Sequence, residues 1–119
     1  MGDQSKRARG QWGEDRACAH LRRAGHTIID RNWRSPEPYV RGELDIVSRL
    51  GDTIVVTEVK ARRSGGFGGA VRAVDAAKQQ QIRHLAESWL RTTRIDCDAV
   101  RFDVIAIDGV RLEHLERAF

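Results

Sequence analysis

Asp45, Glu58 and Lys60 flank a Gly51-Asp52 step, in an arrangement that could hold a divalent cation against a phosphate. Two β-branched runs, Leu44-Asp45-Ile46-Val47 and Ile54-Val55-Val56 through Val59, border that Gly-X pair, the signature of a two-residue hairpin turn. If the turn is Gly51-Asp52, facing positions sum to 103, which sets Asp45 against Glu58 and Glu43 against Lys60. Directly opposed side chains lie about 4.5–5.5 Å apart at Cβ, and like charges placed so are destabilising. A cation would relieve them. Carboxylate oxygens suit hard ions, and Mg²⁺ is commonly held by one or two carboxylates together with waters and substrate phosphates. The same residues also fit an exposed sheet face on which Asp45 and Glu58 meet water and Lys60 pairs with Glu43.

Glu14 weighs against the exposed face. It precedes Ala17, Cys18 and Leu21 by three, four and seven residues, which centres it on the apolar stripe of a helix rather than on the side of Asp15, Arg22 and Arg23. A carboxylate aimed at the sheet needs a partner, and a metal ion or Lys60 would supply one. A first-turn carboxylate also favours the helix dipole without any ligand. Lys78 shares a stripe with Val74 and Ile82, so its amine either turns to the site or, as the more ordinary outcome, snorkels to water. Arg62 and Arg63 follow the Glu58-Val59-Lys60 strand and are placed either for backbone phosphate contacts or in a solvated loop. Trp12, Trp33 and Trp89 fall on apolar stripes or beside a strand, and core packing is expected of them rather than stacking on bases.

These residues require a scaffold of helix, three strands, helix and strand. Gln11 to Ala24 has helical spacing and is stopped by Gly25; a strand starts at Thr27 and runs toward Trp33; Ser35-Pro36-Glu37-Pro38 interrupts the chain as a loop. After the hairpin, the Gly-rich segment 64–69 leads to a helix expected over 70–92, with Val71, Val74, Ile82, Leu85, Ala86 and Trp89 on its apolar side. Val100 to Ile107 reads as a buried strand, and Val110 to Leu115 as a last short strand or turn. The order implies an α/β fold with a mixed central sheet flanked by helices. Residues 1–10 carry Lys6, Arg7 and Arg9 among small polar groups and are expected as a flexible basic tail ahead of a single domain over 11–119.

At 119 residues, 40% hydrophobic and 32% charged, the chain has the makings of one packed core and lacks the signature of disorder. No apolar run suits a membrane span and the polar start is no signal peptide, so no membrane association and a cytoplasmic setting are expected. Cys18 and Cys97 have neither zinc-site spacing nor a disulfide framework, and His20, His26, His84 and His114 form no metal-binding pair. The formal charge of +4 points weakly to an anionic partner such as nucleic acid.

Glu14 on a first helix, Gly42-Glu43-Leu44-Asp45-Ile46-Val47, and then Glu58-Val59-Lys60 together resemble the PD-(D/E)XK nuclease core of type II restriction enzymes and archaeal Holliday junction resolvases. More closely, the chain resembles the YraN family of bacterial proteins. The matching pieces are Trp12-Gly13-Glu14, Arg31-Asn32-Trp33-Arg34, Gly42-Glu43-Leu44-Asp45, Glu58-Val59-Lys60-Ala61-Arg62, Ala73-Val74-Asp75 with Lys78, and Phe102-Asp103-Val104. Ser35 to Arg41 is longer than the usual link, and Ala61 stands where Thr is commoner.

The resemblance implies a restriction-endonuclease-like αβββαβ core in which Asp45 and Glu58 hold Mg²⁺ or Mn²⁺, with the Val59 carbonyl as a further ligand. It places Glu14 at a second ion or a metal-bound water, Lys60 at the attacking water or the phosphorane charge, and Glu43 in support. The expected function is a divalent-metal-dependent endonuclease acting on DNA, on branched or damaged substrates in recombination or repair. A non-catalytic nucleic-acid-binding module or adaptor is the alternative, and a nuclease for RNA is a third reading. Small nucleases that cut both strands often pair as symmetric dimers, so a homodimer is carried as an expectation although no interface is legible in the chain.

Overall fold

The computed structural model describes residues 2–62 and 74–119, residues 2–9 by their backbone alone. Its elements are α1 (Gly2–Arg23), β1 (Thr27–Trp33), β2 (Leu44–Leu50), β3 (Thr53–Arg62), α2 (Ala76–Thr93), β4 (Ala99–Asp108) and β5 (Arg111–Leu115). The sheet runs β1-β2-β3-β4-β5. Every neighbouring pair is antiparallel except β3 and β4, which are parallel and joined across α2. The result is the expected mixed α/β fold, a five-stranded sheet flanked by two helices and compatible with a restriction-endonuclease-like core. None of the described helices is long and apolar enough to cross a membrane.

Each helix covers one sheet face because strand side chains alternate. Ala17, Cys18 and Leu21 of α1 pack on Ile46, Ile105 and Ile107, while Ile82, Leu85, Ala86 and Trp89 of α2 pack on Val47, Ile54, Val56 and Val104. Trp12 and Trp33 are partly buried at the edges of these clusters and Trp89 is fully buried, so all three tryptophans pack as expected. The Trp89 Nε1–H reaches Asp30 Oδ2 at 2.7 Å, satisfying the indole's one polar group.

Two expectations need correcting. The first helix begins at Gly2 rather than near Gln11, so the segment read as a flexible tail is drawn into α1. The second described helix begins at Ala76, where the Asp75 carboxylate caps the Lys78 N–H at 2.8 Å, rather than at residue 70. Ala70, Val71 and the glycines at 65, 66, 68 and 69 lie outside the described residues, as does Arg63.

Candidate metal centre

Asp45 sits where β2 and β3 part company. Their ladder has the expected register, with Leu50 facing Thr53 through to Ile46 facing Thr57, and then it ends. Leu44 packs on the α2 side and Ile46 on the α1 side, so strict alternation breaks between them, at Asp45. The Asp45 carboxylate turns into the gap and accepts the Val59 N–H at 2.9 Å, taking over the acceptor role that the ladder no longer supplies. This brings it against Glu58, whose side chain is about 10% exposed and lies on the α2 side of the sheet.

Burial raises the Asp45 pKa to about 7; the Glu58 charge is the next cause, the Val59 N–H opposes it, and the Glu14 charge adds to it. Glu58 is raised as well, first by burial, with Lys78, Lys60 and a hydrogen bond from Asp45 pulling the other way. Two adjacent desolvated carboxylates resist ionising together, so the pair favours keeping a proton. A divalent ion would substitute for that proton, and two carboxylates at a partly open position suit a hard cation that keeps its waters.

Lys78 meets both outcomes in part, its side chain about a third exposed yet turned toward the pair. Its Nζ lies 3.9 Å from Glu58 Oε1, reaching the site from the first turn of α2. Lys60 lies on β3 two residues beyond Glu58, and its charge draws the Glu58 pKa down.

Glu14 approaches from α1 as expected. Gly13 allows this: a β-carbon at position 13 would lie 2.6 Å from that of Ala61, so only glycine lets the α1 backbone come so close to β3. The Glu14 carboxylate is held by Asn32 Nδ2 at 2.9 Å, with Arg31 at 3.7 Å, and burial, opposed by these two, leaves its pKa raised. Among the described residues no three His, Cys, Asp or Glu side chains converge tightly enough to hold an ion. The structure thus brings Asp45 and Glu58 together, with Lys60 and Lys78 beside them and Glu14 alongside but committed to Asn32.

Glu43 departs from the expected pairing. The ladder stops before it, so it does not face Lys60; instead it accepts from Asn32 at 3.1 Å and pairs with Arg34 at 2.9 Å. Arg62 ends β3 exposed.

Asn32 is the residue that residue-type reasoning passed over. Its side chain bridges Glu14 and Glu43, and its backbone is left-handed at φ 50°, a conformation that Asn tolerates better than most residues. The one available signal was its place in the Arg31-Asn32-Trp33-Arg34 run, in which Arg31 and Arg34 hold the same two carboxylates.

Comparison with known proteins adds kinship. The sequence profile described as "Uncharacterised protein family UPF0102" matches residues 13–107. The chain belongs to family UPF0102. A UPF0102 protein of Acidothermus cellulolyticus is 43% identical, over 97% of this chain and 96% of that one. A UPF0102 protein of Frankia alni is 43% identical across the whole of both chains, and one of Geobacter sulfurreducens is 48% identical over 90% of this chain and 84% of its own. The UPF0102 match spans Glu14, Asn32, Glu43, Asp45, Glu58, Lys60 and Lys78. It ends before β5.

Proposed function

We propose that this UPF0102 protein is a divalent-metal-dependent endonuclease acting on DNA, of the PD-(D/E)XK and YraN kind that its motifs resemble. The observation that carries the reading is the buried Asp45–Glu58 pair, raised in pKa and set at the point where the hairpin ladder opens. A structural role has no need of two adjacent desolvated carboxylates, which cost stability unless a cation joins them.

Asp45 and Glu58 would hold Mg²⁺ or Mn²⁺, and Glu14 would join through a water. Bound there, the ion supplies Lewis-acid polarisation of the scissile phosphate and a lowered pKa for water. The rest falls to the chain. Lys60 offers an ammonium beside the carboxylates to orient the attacking water or offset charge on the phosphorane. Asn32 keeps Glu14 and Glu43 in fixed rotamers, and the Val59 N–H keeps Asp45 in its own.

One observation favours the second reading, a nucleic-acid-binding module or adaptor: Lys78 already lends Glu58 a cation at 3.9 Å. Incubating the protein with linear, branched and single-stranded DNA, and with RNA, in Mg²⁺ or Mn²⁺ separates the two. Metal-dependent cleavage lost on Lys60→Ala supports the nuclease. Binding without cleavage of any of the four supports the module.

A further inference from the structure

The segment between β1 and β2 is pinned to α2 at several points. Ser35 Oγ meets Ser88 Oγ at 2.6 Å and also accepts the Glu37 N–H at 2.9 Å. The Glu37 carboxylate takes Arg91 at 2.8 Å and the Ser88 hydroxyl. Further on, Val40 N–H returns to the Glu37 carbonyl at 3.1 Å, and Gln81 Nε2 donates to the Arg41 carbonyl at 3.1 Å. Gly42 at φ 99° takes a left-handed backbone that side chains rarely adopt, with the Gln81 amide beside it, which closes the turn into Glu43 and Asp45.

At the tip of this fastened loop Tyr39 is 95% exposed. A tyrosine left in water by a loop so firmly tied is held out, not merely loose. It borders a cleft of about 320 Å³ that also involves Arg41, Gln81 and His84. Gln81 is one helical turn beyond Lys78, whose Nζ lies 3.9 Å from Glu58 Oε1, so the cleft lies along α2 from the residue that pairs with Glu58. Glu37 and Glu87 gather around Arg91 at one end, whereas no carboxylate among the described residues pairs with Arg41.

We propose that Tyr39 is a stacking platform for an unpaired base of the DNA strand presented to Asp45 and Glu58, with Arg41 on the adjoining phosphate. This rests on the nuclease reading and narrows its substrate to DNA with a single-stranded or unpaired element. An aromatic face accepts any base and, with only two side-chain torsions to order, loses little entropy on binding. The Arg41 guanidinium, paired with no carboxylate among the described residues, supplies the sequence-independent attraction to the backbone. A protein partner fits less well, because the cleft offers hydrogen-bonding and charged groups around a lone large apolar side chain rather than an apolar centre.

The test is binding in chelator, so that no strand is cut, of one oligonucleotide carrying 2-aminopurine in an unpaired stretch and of the same sequence as a blunt duplex. Wild type binds the unpaired probe more tightly and quenches its fluorescence. Tyr39→Ala weakens that binding roughly tenfold or more and abolishes the quenching, with little change on the duplex, whereas Tyr39→Phe keeps both. Equal binding of the unpaired probe by wild type and Tyr39→Ala overturns the platform while leaving the nuclease reading intact. Wild type that binds neither probe, in chelator or with Ca²⁺ in its place, overturns the platform, while the nuclease reading stands or falls on the cleavage assay. Self-association in sedimentation that disappears in Tyr39→Ala, without the probe effects, reassigns the tyrosine to a contact with a second copy.

Discussion

Replacing Asp45 with Asn should stabilise the metal-free protein, and do so more at pH 8.5 than at pH 5. The Asp45 pKa rises from an ordinary 3.8 to about 7, chiefly through burial and then through the Glu58 charge. A folded pKa above the unfolded one means that the folded chain binds more protons between those values, so stability falls as pH climbs from about 4 to about 7. The rise corresponds to on the order of 4 kcal/mol, an upper figure because the side chain is not wholly shut from water. Asn cannot ionise, yet its carbonyl can still accept the Val59 N–H, so the variant keeps the local structure and loses only the charge. For a chain of this size each kcal/mol moves the melting temperature by about 3–5 °C. Thermal melts in chelator at pH 5 and pH 8.5 should show wild type losing roughly 2–4 kcal/mol across the interval relative to Asp45→Asn. Parallel pH profiles for the two proteins would refute the buried pair as the source of strain.

Further outcomes follow from other parts of the site. Lys60→Ala should lower any metal-dependent cleavage by about 100-fold or more while leaving the melting temperature within a few degrees, since the proposed nuclease sets Lys60 on the reacting groups rather than in the core. Asn32→Ala should cost about 1–3 kcal/mol in thermal melts, and Asn32→Gly less, because both lose the bridge to Glu14 and Glu43 but only Ala is strained at φ 50°. Asp103 is fully buried, and although burial pushes its pKa up, bonds from His114, Arg101 and the Arg117 N–H outweigh this and hold it below the ordinary value. Its contribution is therefore present above the unfolded pKa and lost as pH falls through the folded one, so Asp103→Asn should destabilise the protein at pH 7 and flatten acid unfolding below about pH 4.

Sequence reasoning reached the fold because periodicity is local. The 46–57 side of the hairpin keeps the register that Gly51-Asp52 dictates, and the apolar stripes of both helices face the sheet as their spacing requires. It misplaced the site in detail at the point where the ladder stops. Extrapolating the register past Ile46 set Glu43 against Lys60, but a register cannot announce its own end, and the Asp45 side chain ends it by capping Val59. Asn32 went unnoticed for a related reason. Its role depends on a left-handed turn at the end of β1 and on two carboxylates, Glu14 and Glu43, that come from different elements. Lys78 is ambiguous in the sequence between the site and water, because a stripe residue at a helix start can reach either until the partner strand is in place.

The claim that matters most is that Asp45 and Glu58 hold one divalent ion between them. Titrating Mn²⁺ into the protein at pH 8 and following free Mn²⁺ by electron paramagnetic resonance measures this without a substrate. One Mn²⁺ should bind per chain and be displaced by Mg²⁺, with binding lost in Asp45→Asn and in Glu58→Gln but kept in Glu43→Gln. Wild type that binds no Mn²⁺, or carboxylate variants that bind it as well as wild type does, would contradict it.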